Sequence, residues 1–509
     1  MYGRRVITTD VEDITSKNVV GVLQTAMTTH IQNQTEIQCL YDYYKGKQPI
    51  LNRVKVVREE INNKVIENAA YEIVEFKTGY FTYEPVQYVS ASDSDEVTQD
   101  IETLNKYMMA IGKSGMDVEL AMWFHVCGTA YRMVLPNKNK KKDDGDVPFE
   151  LYVLDPRNTF VVRHNGLGNK PVMACKYVAR TDGTVVYNCY TEDKFFKISD
   201  QISIILEKPN PLGIPIIEYP ANFARLGAFE VVMSLIDAIN EIESNRVDAI
   251  QQFVQAILLF HNVKIDEDSY KSLKEKGAIS YKDVDPQLRA DIQYLCEELN
   301  QDQTQTVVDH LYTRILTVCG MPNRNGGGGS TSDTGKAVIY RDGWGAAEYR
   351  AKLTESCFRS SENAFLRLIM KICRDTDDIN LKPTDFEIRM PRRNYDNVKE
   401  KADTLCMMLD SNKIEPKLAF EHCGLFIDPE TAYQMSKTYA EEQEKKIIAE
   451  LNKTAGIGGS YSSGAAVVVG GGGGDSGYKT THKKKSSKKQ QKKGNGVRDG
   501  DGDGIVNEE

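Results

Sequence analysis

No CxxC pair occurs among the ten cysteines, which stand at 39, 127, 175, 189, 296, 319, 357, 373, 406 and 423. That scatter excludes a zinc knuckle and argues against a disulfide framework, both of which need closely spaced pairs. Most of the cysteines sit beside apolar residues and are expected to be buried, reduced thiols. The seven histidines form no HxxxH or HExxH, so no metal site is expected. Apolar runs such as Val254 to Phe260 fall far short of the ~20 residues a membrane span needs. The opening MYGRRVITTDVEDITS has charge but no apolar stretch. Neither a secretory signal nor a membrane partner is therefore expected, and the chain reads as soluble and made in a cytoplasm. GxSxG, a catalytic Cys/His signature and a nuclease-type carboxylate cluster are all missing, so no catalytic residue is assigned.

What is there is ordinary globular material, 40% hydrophobic and 27% charged over 509 residues. That length suits two to four compact units. The net charge of −9 is unevenly placed: ten Lys and Arg against six Asp and Glu follow residue 450, leaving −13 on residues 1–450. An acidic body is unsuited to static grip on nucleic acid, where basic surface supplies affinity.

The pattern along the chain predicts an α+β fold. Residues 12–90 read mainly as helices, with Asp10 and Ser16 as caps and one helix over 59–81. Helices over about 97–111 and 117–126 follow. Short β-type runs then occupy 128–217 (130–135, 149–154, 159–162, 174–179, 185–189 and 195–198), separated by turn residues, and read as an antiparallel subdomain. Val232, Ile236, Ile239, Ile250, Phe253 and Ile257 recur at helical spacing and predict one unbroken helix over 228–260, roughly 50 Å long. A compact α/β excursion (261–300, with strands at 279–281 and 292–295 and a helical piece near 269–276) leads to a second helix over 303–319. A third helix runs from 333 or 334 to about 374, bent at Gly343 and Gly345, then a strand at 386–390 and two or three helices over 397–450. The tail from Gly456 is Gly-rich, then Lys-rich, then acidic, and cannot fold alone.

Four glycines in a row, Gly326 to Gly329, mark a mobile loop, because ordering them costs much backbone entropy. Arg324 and Asn325 precede them, with Lys336 and Arg341 beyond. A P-loop is refused by spacing: Ser330 stands where Gly is required, and Ala337 follows Lys336 in place of the Mg²⁺-binding hydroxyl. A surface linker and a loop that brushes phosphates without base readout remain open. Asp499, Asp501, Asp503 and Gly504 copy the start of a calcium loop, but the chain stops one residue short of its last ligand. The Lys block at 483–493 reads equally as a nucleic-acid contact or a solvated tail.

In order, these pieces resemble the tailed-phage portal (head-to-tail connector) proteins of the long-tailed siphovirus type, over about residues 35–445. The resemblance is carried by several short stretches. Tyr43-Tyr44-Lys45-Gly46-Lys47-Gln48-Pro49-Ile50 with Arg53 comes first, then Lys77-Thr78-Gly79-Tyr80 ahead of Glu84-Pro85-Val86. Gly128-Thr129-Ala130-Tyr131, Leu154-Asp155-Pro156 and the run from Phe229 to Asn240 follow. The last is Gly320-Met321-Pro322, the glycine loop and Thr334-Gly335-Lys336-Ala337. Gly343-Trp344-Gly345 departs from the family's smoother helix behind the loop, and the tail beyond 450 has no counterpart.

The resemblance implies a portal-type fold with long stem helices, a β-rich wing, a small α/β clip, a helical crown and a disordered C-terminal tail. The divisions are N-terminal helices and wing at 1–227, stem helices at 228–260 and 301–321, and clip at 261–300. The tunnel loop is at 322–335, the tunnel helix and wing return at 336–395, the crown at 396–450 and the tail at 451–509. It implies a ring of identical subunits, usually twelve, at a capsid vertex of a virion assembled in a bacterial host. Double-stranded DNA would pass through without sequence readout. Partners would be the terminase large subunit, a head-completion or adaptor protein, and the major capsid or scaffold protein; no enzyme activity and no cofactor are implied. The loop group Arg324, Asn325, Gly326, Gly327, Gly328, Gly329, Lys336 and Arg341 would face the channel. The competing readings are a nucleotide-binding enzyme using the Gly-Lys loop and a nucleic-acid-binding protein using the Lys-rich tail.

Overall fold

The computed structural model describes residues 3–56, 58–91, 94–138, 146–254, 257–264, 267, 271, 282–284, 291–295, 301–323, 343–377, 379–391, 398–411, 413–426 and 428–455. It divides into two compact units, Met1–Lys437 and Thr438–Glu509. The fold is α+β. No helix among the described residues is long and apolar enough to cross a membrane.

Helix α1 (Val19–Tyr44) buries Val19, Val22, Leu23, Ala26, His30, Asn33, Ile37 and Leu40, a stripe at steps of three and four that defines one face. Neither Asp10 nor Ser16 starts it. The Asn18 side chain holds the entry turn instead, accepting from the Thr15 amide at 2.7 Å and donating to the Asp13 carbonyl at 2.8 Å. The first half of α1 covers a six-stranded sheet in the order β1-β5-β6-β7-β8-β9. These strands are β1 (Ile7–Thr9), β5 (Thr159–His164), β6 (Pro171–Ala179), β7 (Val185–Tyr190), β8 (Lys194–Ser199) and β9 (Ile204–Pro209). Strand β1, unforeseen in the sequence, joins parallel to β5, whereas the others form the expected antiparallel meander. Its core row is Phe160, Cys175, Cys189 and Phe196, register partners across four strands and all fully buried. Among the nine described cysteines, seven are buried and two, Cys39 and Cys406, are exposed.

A second sheet, β10 (Ile216–Pro220), β3 (Thr129–Pro136) and β4 (Phe149–Leu154), is antiparallel. The main core gathers on it from α1, α2 (Ala69–Phe81), α3 (Asp95–Ala110) and α4 (Lys113–Cys127). A distant strand pair, β2 (Gln87–Ser90) with β15 (Phe386–Arg389), ties in the return of the chain.

The expected helix over 59–81 is a helix only from Ala69, where the Asn68 side chain accepts from the Tyr71 amide. Residues 61–68 run as a strap along α5 (Met233–Val254). Their alternate amides are taken by one polar stripe of that helix: Asn63 N–H by Asp248 (2.7 Å), Val65 N–H by Ser244 (2.9 Å) and Glu67 N–H by Asn240 (2.8 Å). Acceptors at i, i+4 and i+8 line up on one helix face, and an extended strap with its alternate amides spoken for has no reason to coil. Arg53 (3.0 Å) and Lys55 also bind Asp248. Burial pushes the Asp248 carboxyl up, yet Lys55 and the Asn63 groups hold it below the usual range. Tyr43 and Gln48 reach the same helix at Asp237 (2.7 Å) and Asn240. The Tyr43 to Arg53 motif is thus an α5-binding motif.

The predicted single helix over 228–260 is corrected. A short 3-10 turn (Glu230–Val232) leads into α5, which stops at Val254, and β11 (Ile257–His261) follows. Strand β11 pairs antiparallel with β14 (Asp291–Leu295), in register from Ile257 with Leu295 to His261 with Asp291, and β12 (Val263–Lys264) pairs antiparallel with β13 (Lys282–Asp283). Apolar Ile257, Leu258, Leu259 and Phe260 continue the helical spacing, but a partner strand in the later sequence wins the backbone bonds. The run 292–295 is the strand expected; 279–281, and all but residue 271 of the helical piece near 269–276, lie outside the described residues. Helix α6 (Gln301–Cys319) returns alongside α5, where Arg246 donates to Gln301 (3.1 Å) and Gln305 (3.0 Å).

Helix α7 (Trp344–Asp377) crosses the second sheet, with Phe358, Phe365, Leu366, Ile369 and Cys373 in the core. Its middle is pinned by a closed charge group. Glu362 bonds Lys113 (2.9 Å) and Arg132 (3.3 Å), and Asp117 bonds Lys113 (2.7 Å) and also Arg132. The hydroxyls of Tyr88 (2.6 Å) and Tyr219 (2.7 Å) donate to Glu362. Two cations face two carboxylates with no solvent contact to speak of, the arrangement that makes buried charge tolerable. Beyond β15, helices α8 (Val398–Asp410), α9 (Pro416–Cys423) and α10 (Pro429–Ala455) match the expected two or three. A small core forms from Leu405, Ala419, Phe420 and Cys423.

Candidate functional site: the roots of the glycine loop

Arg324, Asn325, Gly326 to Gly329, Lys336 and Arg341 all lie outside the described residues, as do the Lys block and the acidic end of the tail. The structure does place both roots of the loop. Helix α6 ends in a Schellman motif: Met321 N–H bonds the Leu316 carbonyl (2.8 Å) and Gly320 N–H the Thr317 carbonyl (3.2 Å). That motif puts residue 320 in the left-handed region, φ +67°, where glycine is favoured. A side chain there would also meet Arg350, whose Cγ lies 2.7 Å from the position a Cβ would take.

Gly343 forms the second root. Its φ is +85°, and its carbonyl accepts from Ala346 (3.0 Å) and Ala347 (3.3 Å), opening α7. A Cβ on Gly343 would lie 3.7 Å from the Met321 oxygen and the Pro322 Cα. Met321 and Pro322 are therefore neighbours of Gly343 in space. Trp344 packs near Phe76 and Tyr80, with ring centroids 6.0 and 6.2 Å apart, and Tyr80 donates to Glu348 at 2.9 Å. The unusual Gly343-Trp344-Gly345 thus clamps the start of α7 onto α2.

Between α2, the end of α6 and the first turns of α7 lies an open cavity of about 250 Å³. Phe76, Tyr80, Val318, Ala347 and Leu353 give it apolar walls, and Lys77 and Arg350 give it charge. Lys77 is half-buried, and burial followed by the nearby Arg350 cation lowers its pKa, against a raising influence from Cys319. His125, at the cavity's buried edge, is held neutral by desolvation and shares a hydrogen bond with Thr78 (3.1 Å). Sequence reasoning placed Lys77 in a motif without a role and did not reach Arg350. Their meeting depends on α2 and α7 packing together, which no local pattern reveals.

The family pattern described as phage portal protein, SPP1 Gp6-like, matches residues 26–448. No curated protein matches the chain. Among solved structures, a chain from the neck of an empty GTA particle computed with C6 symmetry is similar, with a TM-score of 0.40 and 12% identity. The match covers 70% of this chain and 90% of that one. A likeness that weak carries no argument.

Proposed function

The chain belongs to the phage portal protein family, SPP1 Gp6-like, and on that premise we propose that it is the ring subunit through which DNA enters and leaves a capsid. The single observation that carries this reading is the family match over residues 26–448. In the proposed layout, the 128–217 strands and their helices form the wing. The antiparallel pair α5 and α6 is the stem, shortened to Met233–Val254 and Gln301–Cys319, with the β11–β14 hairpin at its tip as the clip. The excursion rooted at Pro322 and Gly343 is the tunnel loop facing the channel, carrying Arg324, Asn325, Gly326 to Gly329, Lys336 and Arg341. Helices from Val398 onward form the crown.

The proposed mechanism is passive. Identical subunits, usually twelve, enclose the DNA, and a terminase motor docked at the clip drives it. A head-completion or adaptor protein replaces the motor after packaging, and capsid or scaffold protein surrounds the wing. An acidic body opposes lasting adhesion of DNA, because like charges repel along the path. No residue is assigned a catalytic role. Negative-stain images of the purified chain test the proposal: rings with a central hole are expected, and a monomer at every concentration would refute it.

A further inference from the structure

We propose that the cavity at the loop roots is a binding site for a phosphate group, either free or in a nucleic-acid backbone. Among the described residues nineteen line it, and none of them is Asp or Glu, although the chain as a whole carries −9. Lys77 and Arg350 make no ion pair or hydrogen bond with the described residues, while the nearby Glu348 is taken by Tyr80 (2.9 Å) and Lys352 (3.9 Å). The competing explanation is that the two cations serve the carbonyl end of α6, whose last turn has no basic residue. Its magnitude is too small. A helix C-terminus presents roughly half a negative charge, and the N-terminus of α7 at the same place presents roughly half a positive one.

The two helix ends offset each other, so they do not account for two cations that pair with no described residue. An ammonium and a guanidinium lining one open cavity are a donor set that phosphate oxygens take, the guanidinium through paired N–H groups. Gly320 fixes the second donor, because only the missing side chain lets Arg350 lie across the end of α6. The site is open on one side, Arg350 being exposed and Lys77 half-buried, and its volume of about 250 Å³ admits a group of phosphate size. This inference stands on the side chains of one subunit and does not depend on ring assembly.

Calorimetric titration of the full chain with inorganic phosphate, in chloride buffer of constant ionic strength, tests it. Saturable binding of one phosphate per subunit is expected. Lys77→Gln or Arg350→Gln each weakens it by about tenfold or more, the loss expected for one charged hydrogen bond, while Lys352→Gln changes it less than about twofold. Melting curves without phosphate keep the variants interpretable, since Lys77→Gln removes a desolvated cation and melts no lower than the parent. A short DNA duplex is then added as competitor. Displacement of phosphate assigns the site to backbone phosphates, and no displacement assigns it to free phosphate. Absence of saturable binding, or equal binding by both cavity variants and the parent, overturns the proposal.

Discussion

One helix, α7, carries two opposite solutions to the same electrostatic problem. At Glu362 charge is fully buried and fully matched, two cations against two carboxylates with tyrosine hydroxyls completing the set. Three turns earlier, at Arg350, cations stand at an open cavity with no carboxylate among its described lining residues. A matched buried group fixes geometry, because removing any member strands the others in low dielectric. An unmatched, half-open pair fixes little and leaves room for an exchangeable anion. The helix behind the glycine loop is therefore rigidly mounted in its middle and chemically open at its start.

The comparison breaks most severely if its matched half is unbalanced. Glu362→Leu leaves Lys113 and Arg132 to share Asp117, and a loss of about 3–5 kcal/mol is expected in urea unfolding. If the loss is below about 1 kcal/mol, the group is not the clamp described here.

Acid sharpens the same half without mutation. Glu218, beside α7 through Ser361 (2.7 Å), is pushed up by burial but brought down to about 2 by Arg225 and Arg163. A depressed carboxylate stabilises the fold above its unfolded pKa of ~4.5, and that share is lost as pH falls toward 2. The difference corresponds to about 3 kcal/mol. Melting temperature should fall steeply between pH 4.5 and 2, and less steeply in Glu218→Gln, which has already lost the charge.

The open half responds more mildly. Gly320→Ala forces a side chain into a left-handed position and against Arg350, which should cost about 1–3 kcal/mol; a neutral outcome would mean the Schellman end of α6 is not held. Lys77→Met, by contrast, is expected to leave stability unchanged or raise it by a few tenths of a kcal/mol, since a desolvated cation near another is replaced by an apolar chain. A clear destabilisation would mean that Lys77 has a partner within the fold.

Much of the fold was legible where structure is local. The strand at 149–154 and the helix ending at Cys319 follow from alternation and period. Three features were not legible, each for a nonlocal reason. Residues 257–260 keep helical spacing but pair with 291–295. Residues 61–68 carry Ile61 and Val65 at helical spacing, yet their amides are claimed by Asn240, Ser244 and Asp248. Strands β1 and β2 are too short to signal themselves and exist through β5 and β15. For the candidate site, the glycine run itself lies outside the described residues, and the closeness of Pro322 to Gly343 and the placing of Lys77 and Arg350 on one cavity belong to packing alone. Gly343, read as a bend within a helix, has φ +85° just before the described helix from Trp344, and the expected stretch from 333 to 342 lies outside the described residues.

The central claim is that the excursion between Pro322 and Gly343 faces the axis of a ring. A cryo-electron microscopy map of the assembled protein measures this directly. The account predicts Pro322 and Gly343 on the axial side of α6 and α7, beside the channel. Both residues on the outer circumference, or a ring in which α5 and α6 line no passage, would contradict it.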